Sequence, residues 1–443
     1  MIEFDLSLDI LAEVYDKKIP FATALREKFF TNPALRPHRT IVAGLTGCEI
    51  RHHLLFEYLL KDIEGLEEAD KRAIALTLAN DYFFHRYERE EFDAELAKRI
   101  GEEKLAKVKP ILDNCANPEE FVPSSIKRST PLYLSLRYNI PDWTLRIFRH
   151  YPRFPILKTL KKYGRPAVNP VRVREDVSPA DLIATGEFEA TATKNILNYV
   201  GKTALRKNEF FRQNKIFSEK ELTKIIFDTY AVNEPSEVLL YNGSKDSSLE
   251  RELIEAYHSR IGLNLATPDV DAKVDVTKAI KAKNLHNVNF FAAPDPSAMD
   301  AAISRQQDLV IAAPESTWFD LVPTAPDYLL NFPRENMDEI LAKEKAVLEG
   351  VSKYVEVGGK LIYIVYTISM KETSQTIAGF LKEHEDFALI EEKQYFPFEA
   401  HQTTAYVAVL TKKEKELTIA APLGELASMQ APATASVGAA ASE

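Results

Sequence analysis

The chain has 443 residues, of which 45% are apolar and 28% charged, and a formal net charge of −10. That length divides into two or three compact units, each able to bury a core, and the composition is that of a globular protein. No stretch approaches the roughly 18 uncharged apolar residues of a membrane span, the acidic start MIEFDLSLDI lacks the pattern of a secretion signal, and two cysteines, Cys48 and Cys115, fit a reducing, cytoplasmic setting.

Residues 1 to about 125 read as helices. Ile74, Leu78 and Tyr82 recur at i, i+4, i+8 with charges between them, and LLFEYLL (54–60) is a second buried stripe. A stretch punctuated by Pro131, Pro141, Pro152, Pro155, Pro166 and Pro170 then breaks long helices and marks the passage to another unit.

Charge is distributed unevenly across that passage. Residues 126–174 hold twelve Lys or Arg against one acid, Asp142, a local charge of +11 that leaves −21 for the rest. The cations alternate with Tyr133, Tyr138, Trp143, Phe148, Tyr151, Phe154 and Tyr163, a mixture that pairs phosphate contacts with surfaces for stacked bases. Trp143, Ile147 and Tyr151 also have i, i+4, i+8 spacing, which predicts one buried helix face, so some of these aromatics belong to the core. A solvated helix face mixes signs, whereas this segment does not; it reads as a nucleic-acid surface carried by Arg137, Arg149, Arg153, Lys158, Lys161, Lys162 and Arg172.

From about residue 236 short apolar strands alternate with helix-length amphipathic segments. The predicted strands are 237–241, 261–265, 288–292, 308–312 and 360–366, with helices over 248–257, 271–284, 297–305, 335–354 and 372–384. Such alternation makes a parallel sheet covered on both faces. Two further strands, 387–392 and 405–410, follow without a helix between them, so the last runs antiparallel, as in the S-adenosylmethionine-dependent methyltransferase fold. The final 26 residues, Thr418–Glu443, contain nine Ala and no aromatic residue, too little apolar surface to offset ordering, and read as a disordered tail.

The segments NIPDWTLRIFRHY (139–151), RPAVNPVRV (165–173) and VGGKLIYIVYTISMKETSQTIAGFL (357–381) resemble the Sun/Fmu-type rRNA cytosine-5 methyltransferases, with scattered motifs over about residues 140–410. The resemblance implies an N-terminal all-α NusB-like domain over 1–138, a small basic linker or RNA-binding subdomain over 139–235 and a C-terminal α/β Rossmann-like methyltransferase domain over 236–413, before an Ala-rich tail at 414–443. It also implies demands that this chain does not meet. In the family a cysteine thiolate attacks carbon 6 of a flipped-out cytosine and a second cysteine assists release. The matching positions hold Glu315, after Ala313-Pro314, and Tyr366, at the end of the fifth strand, and no cysteine follows Cys115. A phenol of ordinary pKa about 10 is protonated at neutral pH, and a carboxylate attacks a pyrimidine poorly. Glu315 is therefore expected to be a solvated loop acid and Tyr366 a packed strand end.

The cofactor loop is altered as well. Asn242-Gly243-Ser244-Lys245-Asp246 stands where the family has Ala-Ala-Pro-Gly-Gly-Lys, and Asp295 matches an acid that would face the adenine or else caps the next helix, which Pro296 and Ser297 begin. No cofactor is expected; if the site is retained it takes S-adenosylmethionine on Asn242, Gly243, Ser244 and Asp295. Adjacent His52 and His53 point to different helix faces, and no Cys or His cluster has zinc spacing, so no metal is expected. The leading expectation is a catalytically inactive relative that binds RNA, ribosomal by family, in rRNA processing. The alternatives are an RNA methyltransferase of altered mechanism and a protein-binding scaffold in ribosome assembly or transcription.

Overall fold

A computed structural model describes residues 1–114, 122–151, 153–164, 168–230, 235, 237–244, 246–257, 261–399 and 403–414. The expected tail and Cys115 lie outside the described residues.

The N-terminal region is a helical unit of α1 (Ile2–Asp16), α2 (Phe21–Thr31), α3 (Arg39–Leu60), α4 (Glu68–Ala79), α5 (Arg89–Ile100) and α6 (Glu102–Asp113). Its helices form because their apolar residues fall on one side. Phe4, Ile10, Leu45, Phe56, Ile74, Leu78 and Phe92 close a single core around α3, and Tyr82 joins it from a π-turn after α4, as the spacing predicts. A capping box between Glu67 and Asp70 satisfies the first free amides of α4.

Three short helices follow: α7 (Pro131–Tyr138), α8 (Asp142–Ile147) and α9 (Arg153–Tyr163). The single helix predicted through Trp143, Ile147 and Tyr151 does not form. α8 tightens into a 3-10 turn at Phe148–His150 and the chain is extended at Tyr151, the residue before Pro152, where a helical conformation clashes with the proline ring. The three side chains still pack together, half-buried against Ile140, Phe148, Phe319 and Ile368.

Residues 170–218 form a four-stranded antiparallel sheet of β1 (Pro170–Val173), β2 (Phe188–Ala190), β3 (Ile196–Tyr199) and β4 (Ile216–Ser218), in the order β2-β3-β1-β4, with Val171, Val173, Phe188, Leu197 and Ile216 in its own core. The sequence pattern did not predict it.

The large sheet holds β5 (Glu237–Asn242), β6 (Gly262–Thr267), β7 (Val288–Ala292), β8 (Gln307–Ala313), β9 (Val355–Val365), β10 (Phe387–Tyr395) and β11 (Ala405–Lys412), in the order β10-β11-β9-β8-β5-β6-β7. β5 pairs in parallel with β6 and β8, and β11 runs antiparallel to β9 and β10. Both faces are buried, and alternation shows it directly: Val238 and Leu240 of β5 enter one core, Leu239 and Tyr241 the other. The expected strands and the helices after β5, β8 and β9 form. After β7 only a 3-10 helix, Pro296–Ala301, stands where a longer helix was predicted. The N-terminal region is therefore helical and the C-terminal sheet is Rossmann-like. Among the described residues, no helix is long and apolar enough to cross a membrane.

The helical unit is fastened to the rest by specific bonds. Phe21 N–H donates to Asp327 Oδ2 at 3.0 Å, and the Asn331 amide donates to the Val14 carbonyl at 3.2 Å.

Candidate functional site

In an open α/β sheet, ligands enter the crevice beyond the carboxyl ends of the strands where the strand order reverses. Here that point lies between β5 and β8, because the chain leaves β5 toward β6 and β7 and then returns to β5's other side. The loops after β5 and β8 meet there. A Cβ on Gly243 would stand 2.7 Å from the Glu315 amide nitrogen, so only glycine admits this approach.

The loop after β5 is braced from within. Asn242 is fully buried; its amide donates to the Asp246 carbonyl at 2.9 Å and to Glu250 at 2.8 Å, while its oxygen accepts the Ser244 N–H at 2.9 Å. Glu250, itself buried, pairs with buried Lys273. Asp246 accepts from Ser248 N–H and hydroxyl at 3.0 and 2.7 Å.

Lys220, from the loop before helix Glu221–Tyr230, reaches over this edge. Its ammonium lies 3.0 Å from Asp246, 2.7 Å from Asp320 and 3.9 Å from the centroid of the Tyr366 ring. Burial pushes the Asp246 carboxyl up, but the Lys220 charge and the Ser248 hydrogen bonds outweigh it and hold it at about 2. Burial opposes the Lys220 charge, which Asp320 and Asp246 overcome, raising its pKa well above the usual lysine range. Asp320 is raised by burial despite Lys220.

The two positions that the resemblance assigns to cysteine differ in setting. Glu315 is exposed, with Lys343 at 3.4 Å. Tyr366 is buried, stacked against Trp318 at 5.3 Å between ring centroids, and burial raises its phenol far above the ordinary value. Next to it lies a buried carboxyl that the sequence reading missed. Glu372 Oε2 accepts from Thr317 N–H at 3.1 Å and from the Thr317 hydroxyl at 2.8 Å, and Oε1 accepts from Thr367 at 3.3 Å. Burial raises Glu372 to about 7, although those donors favour its charge. Glu344 is buried nearby, its carboxylate oxygens without a hydrogen-bond partner among the described residues; burial and then Glu372 push it to about 11.

The remaining predicted residues separate. Asp295 is exposed and caps the helix Pro296–Ala301, accepting from Ser297 N–H at 2.9 Å. Arg149, Lys158 and Lys161 are exposed, and Arg137 and Lys162 half-buried; the Arg153 side chain lies outside the described residues. Arg172 corrects its prediction. It is 3% exposed and donates to Glu252 at 3.2 Å, so it joins the small sheet to helix Ser248–Tyr257 and cannot reach a phosphate. The aromatics of this stretch are also mostly structural: Phe148 and Tyr163 are buried, and Trp143 stacks on Phe332 at 5.6 Å. Lys220, Asp320 and Glu372 carried no local signal, since Lys220 meets Asp246 and Asp320, and Glu372 meets Thr317, only through the fold. Among the described residues, no group of three or more His, Cys, Asp or Glu is arranged to hold a metal ion.

No family model matches the chain. A segment of 56 residues is 30% identical to the ribosomal RNA small subunit methyltransferase B of Pectobacterium atrosepticum, and the match spans 13% of each protein. Among solved structures, the protein PH0851 superposes with a TM-score of 0.68 over 93% of this chain and 99% of its own, at 15% identity. A methyltransferase homolog from Pyrococcus horikoshii covers 65% of this chain and 99% of its own at 12% identity, and NSun6 from Pyrococcus horikoshii, solved with SFG, covers 61% and 97% at 10%; both have a TM-score of 0.53. These likenesses establish a methyltransferase fold.

Proposed function

The chain is related to the Sun/Fmu-type rRNA methyltransferases, and from that kinship we propose that it binds RNA, ribosomal by family, without methylating it. One observation carries the reading: Lys220 lies over Tyr366 and between Asp246 and Asp320, at the crevice where a ligand of this fold would enter. The cysteine-dependent route has no thiolate, because both cysteines of the chain precede residue 116 and the matching positions hold Glu315 and Tyr366. An exposed, lysine-paired carboxylate and a buried phenol with a raised pKa cannot replace it.

The residues present fit S-adenosylmethionine poorly. That cofactor brings a sulfonium and an ammonium, and the two carboxylates at this edge already hold the Lys220 charge. Asn242 and Ser244 spend their hydrogen bonds on the loop itself, and Asp295 on a helix cap. On this reading the sheet domain, residues 236–413, is a scaffold. The NusB-like unit, 1–138, and the basic subdomain, 139–235, present the RNA surface through Arg137, Arg149, Lys158, Lys161 and Lys162, and the protein works in the cytoplasm.

Isothermal titration of the purified chain with S-adenosylmethionine tests the scaffold assignment. We expect no heat of binding at millimolar cofactor. Saturable binding would return the crevice to catalysis.

A further inference from the structure

We infer that the small antiparallel sheet carries a second RNA surface, separate from the cations of residues 137–162, on which Lys202, Arg206, Lys207, Arg212 and Lys215 contact the phosphates of an RNA helix. This deepens the RNA reading above and rests on it.

Residues 170–218 run β1, helix Pro179–Ala184, β2, β3, a 3-10 turn at Leu205–Lys207, helix Glu209–Arg212 and β4, with the strands in the order β2-β3-β1-β4. That is the split βαβ arrangement of RNA-recognition modules, which stack bases on the sheet face that their helices leave open. Here that face is closed. Val171, Val173, Phe188, Leu197 and Ile216 pack on the helical side, under Leu205, Phe210 and Phe211. Arg172, Ile196 and Phe217 sit opposite one another across the strands, so they share the other face, and all three are buried. Helix Ser248–Tyr257 of the large-sheet domain covers them: Arg172 donates to Glu252 at 3.2 Å, and the Arg251 guanidinium lies 4.0 Å from the centroid of the Phe217 ring. Only the helical side is left for a ligand.

The connection from β3 to β4 crosses that side with its apolar residues inward and its charges in solvent. Lys202, Arg206, Lys207, Arg212 and Lys215 are exposed, as is Lys194 in the turn before β3. From residue 194 to 215 these six cations meet one acid, Glu209, whose carboxylate accepts from the Gln213 amide at 2.7 Å. Among the described residues none of the six is paired with a carboxylate. Nearby acids are already engaged, Asp176 by Arg174 at 3.1 Å and Glu187 by the Asn208 amide at 2.9 Å. Val173 N–H donates to the Asn195 carbonyl at 2.8 Å and Arg174 N–H to the Lys215 carbonyl at 3.1 Å, so the loops that carry Lys194 and Lys215 flank one end of β1. Six unpaired cations on one small module, in a chain of net charge −10, make a local field for a polyanion.

The aromatic residues decide which polyanion fits. Tyr199 is buried, Phe210 and Phe211 are half-buried in the core below, and the Lys215 ammonium lies 5.8 Å from the centroid of the Phe210 ring. No ring between residues 194 and 215 is exposed. Single strands are held by bases stacked on such rings, whereas a double helix is read through its phosphates and 2′-hydroxyls, so the surface fits the helix.

The test uses the full chain and follows the anisotropy of two labelled probes, a blunt RNA duplex and oligouridylate, against salt. Wild type should prefer the duplex. The combined change Lys202→Gln, Arg206→Gln and Lys207→Gln should weaken duplex binding about tenfold and lower the slope of log affinity against log salt by about two to three. Lys202→Arg, Arg206→Lys and Lys207→Arg together should keep the slope. Arg212→Gln with Lys215→Gln, made separately, should lower it by about one to two. Lys278→Gln with Lys281→Gln, exposed cations of the large-sheet domain, should change nothing. Circular dichroism melts confirm that each variant is folded, as exposed side chains contribute little to stability. A duplex slope unchanged in both Gln variants, or tighter binding of oligouridylate than of the duplex by wild type, overturns this surface and leaves the RNA reading standing. Wild type that binds neither probe overturns the RNA reading itself, and this surface with it.

Discussion

The Lys220 ammonium lies 3.9 Å from the centroid of the Tyr366 ring, closing from above the strand end at which a cysteine would have to act. Two carboxylates hold it there, and they come from the loops after the two strands that flank the reversal of strand order. A cation fixed in this way satisfies the charges at the crevice without any ligand. On the reading proposed above, the same cation serves the fold at the expense of a cationic guest.

Removing that charge should destabilise the protein. In Lys220→Met, Asp320 keeps a side chain only 3% exposed and loses its ion pair, which costs on the order of 3 kcal/mol in urea unfolding. The acid response should change as well. Asp246 is held at about 2 against an ordinary 3.8, so its contribution is present above the ordinary value and is lost as pH falls toward 2. Lys220→Met should flatten that acid limb. An unaltered limb would mean that Asp246 draws its low pKa from Ser248 alone.

Glu372 gives the opposite slope. Its carboxyl is raised from 4.5 to about 7, so the folded state holds a proton that the unfolded chain has released. Stability is therefore highest below 4.5 and declines as pH rises to about 7. Glu372→Gln keeps an oxygen for the Thr317 donors and should remove much of this decline. Melting temperatures across that range check it, and a wild-type curve that stays level would contradict the assignment.

The basic surface and the core can be separated by mutation. Changing Lys158, Lys161 and Lys162 to Gln should reduce the slope of log affinity against log salt by about two to three, with little effect on melting. Trp143→Ala should do the reverse. Trp143 is half-buried against Phe332, so the change should cost about 2 to 3 kcal/mol and leave the RNA slope of the folded fraction unchanged. Filter binding beside thermal melts reads both.

The strands of the large sheet were legible because both faces are buried: EVLLY and KLIYIVY are continuous apolar runs, which strands of that length carry only inside a covered sheet. The small sheet was not, since β2 and β4 have only three residues each and their pairing is non-local. Pro152 explains the lost helix after Trp143, and the rule for a residue before proline could have found it. The positions of Glu315 and Tyr366 followed from motif register, and their settings, an exposed loop acid and a packed strand end, are the expected ones. Lys220 stands between Glu219 and Glu221, where it reads as one more solvated charge, and its partners are 26 and 100 residues away. Arg172 was misread for the same reason, because Glu252 lies 80 residues downstream.

The central claim, RNA binding without methylation, is tested most directly in one reaction. The full chain is incubated with undermethylated ribosomal RNA and methyl-labelled S-adenosylmethionine, and the retained RNA is scored for 5-methylcytosine. The account predicts salt-dependent retention of RNA with methylation no higher than in a heat-killed control. Stoichiometric 5-methylcytosine in the retained RNA would contradict it.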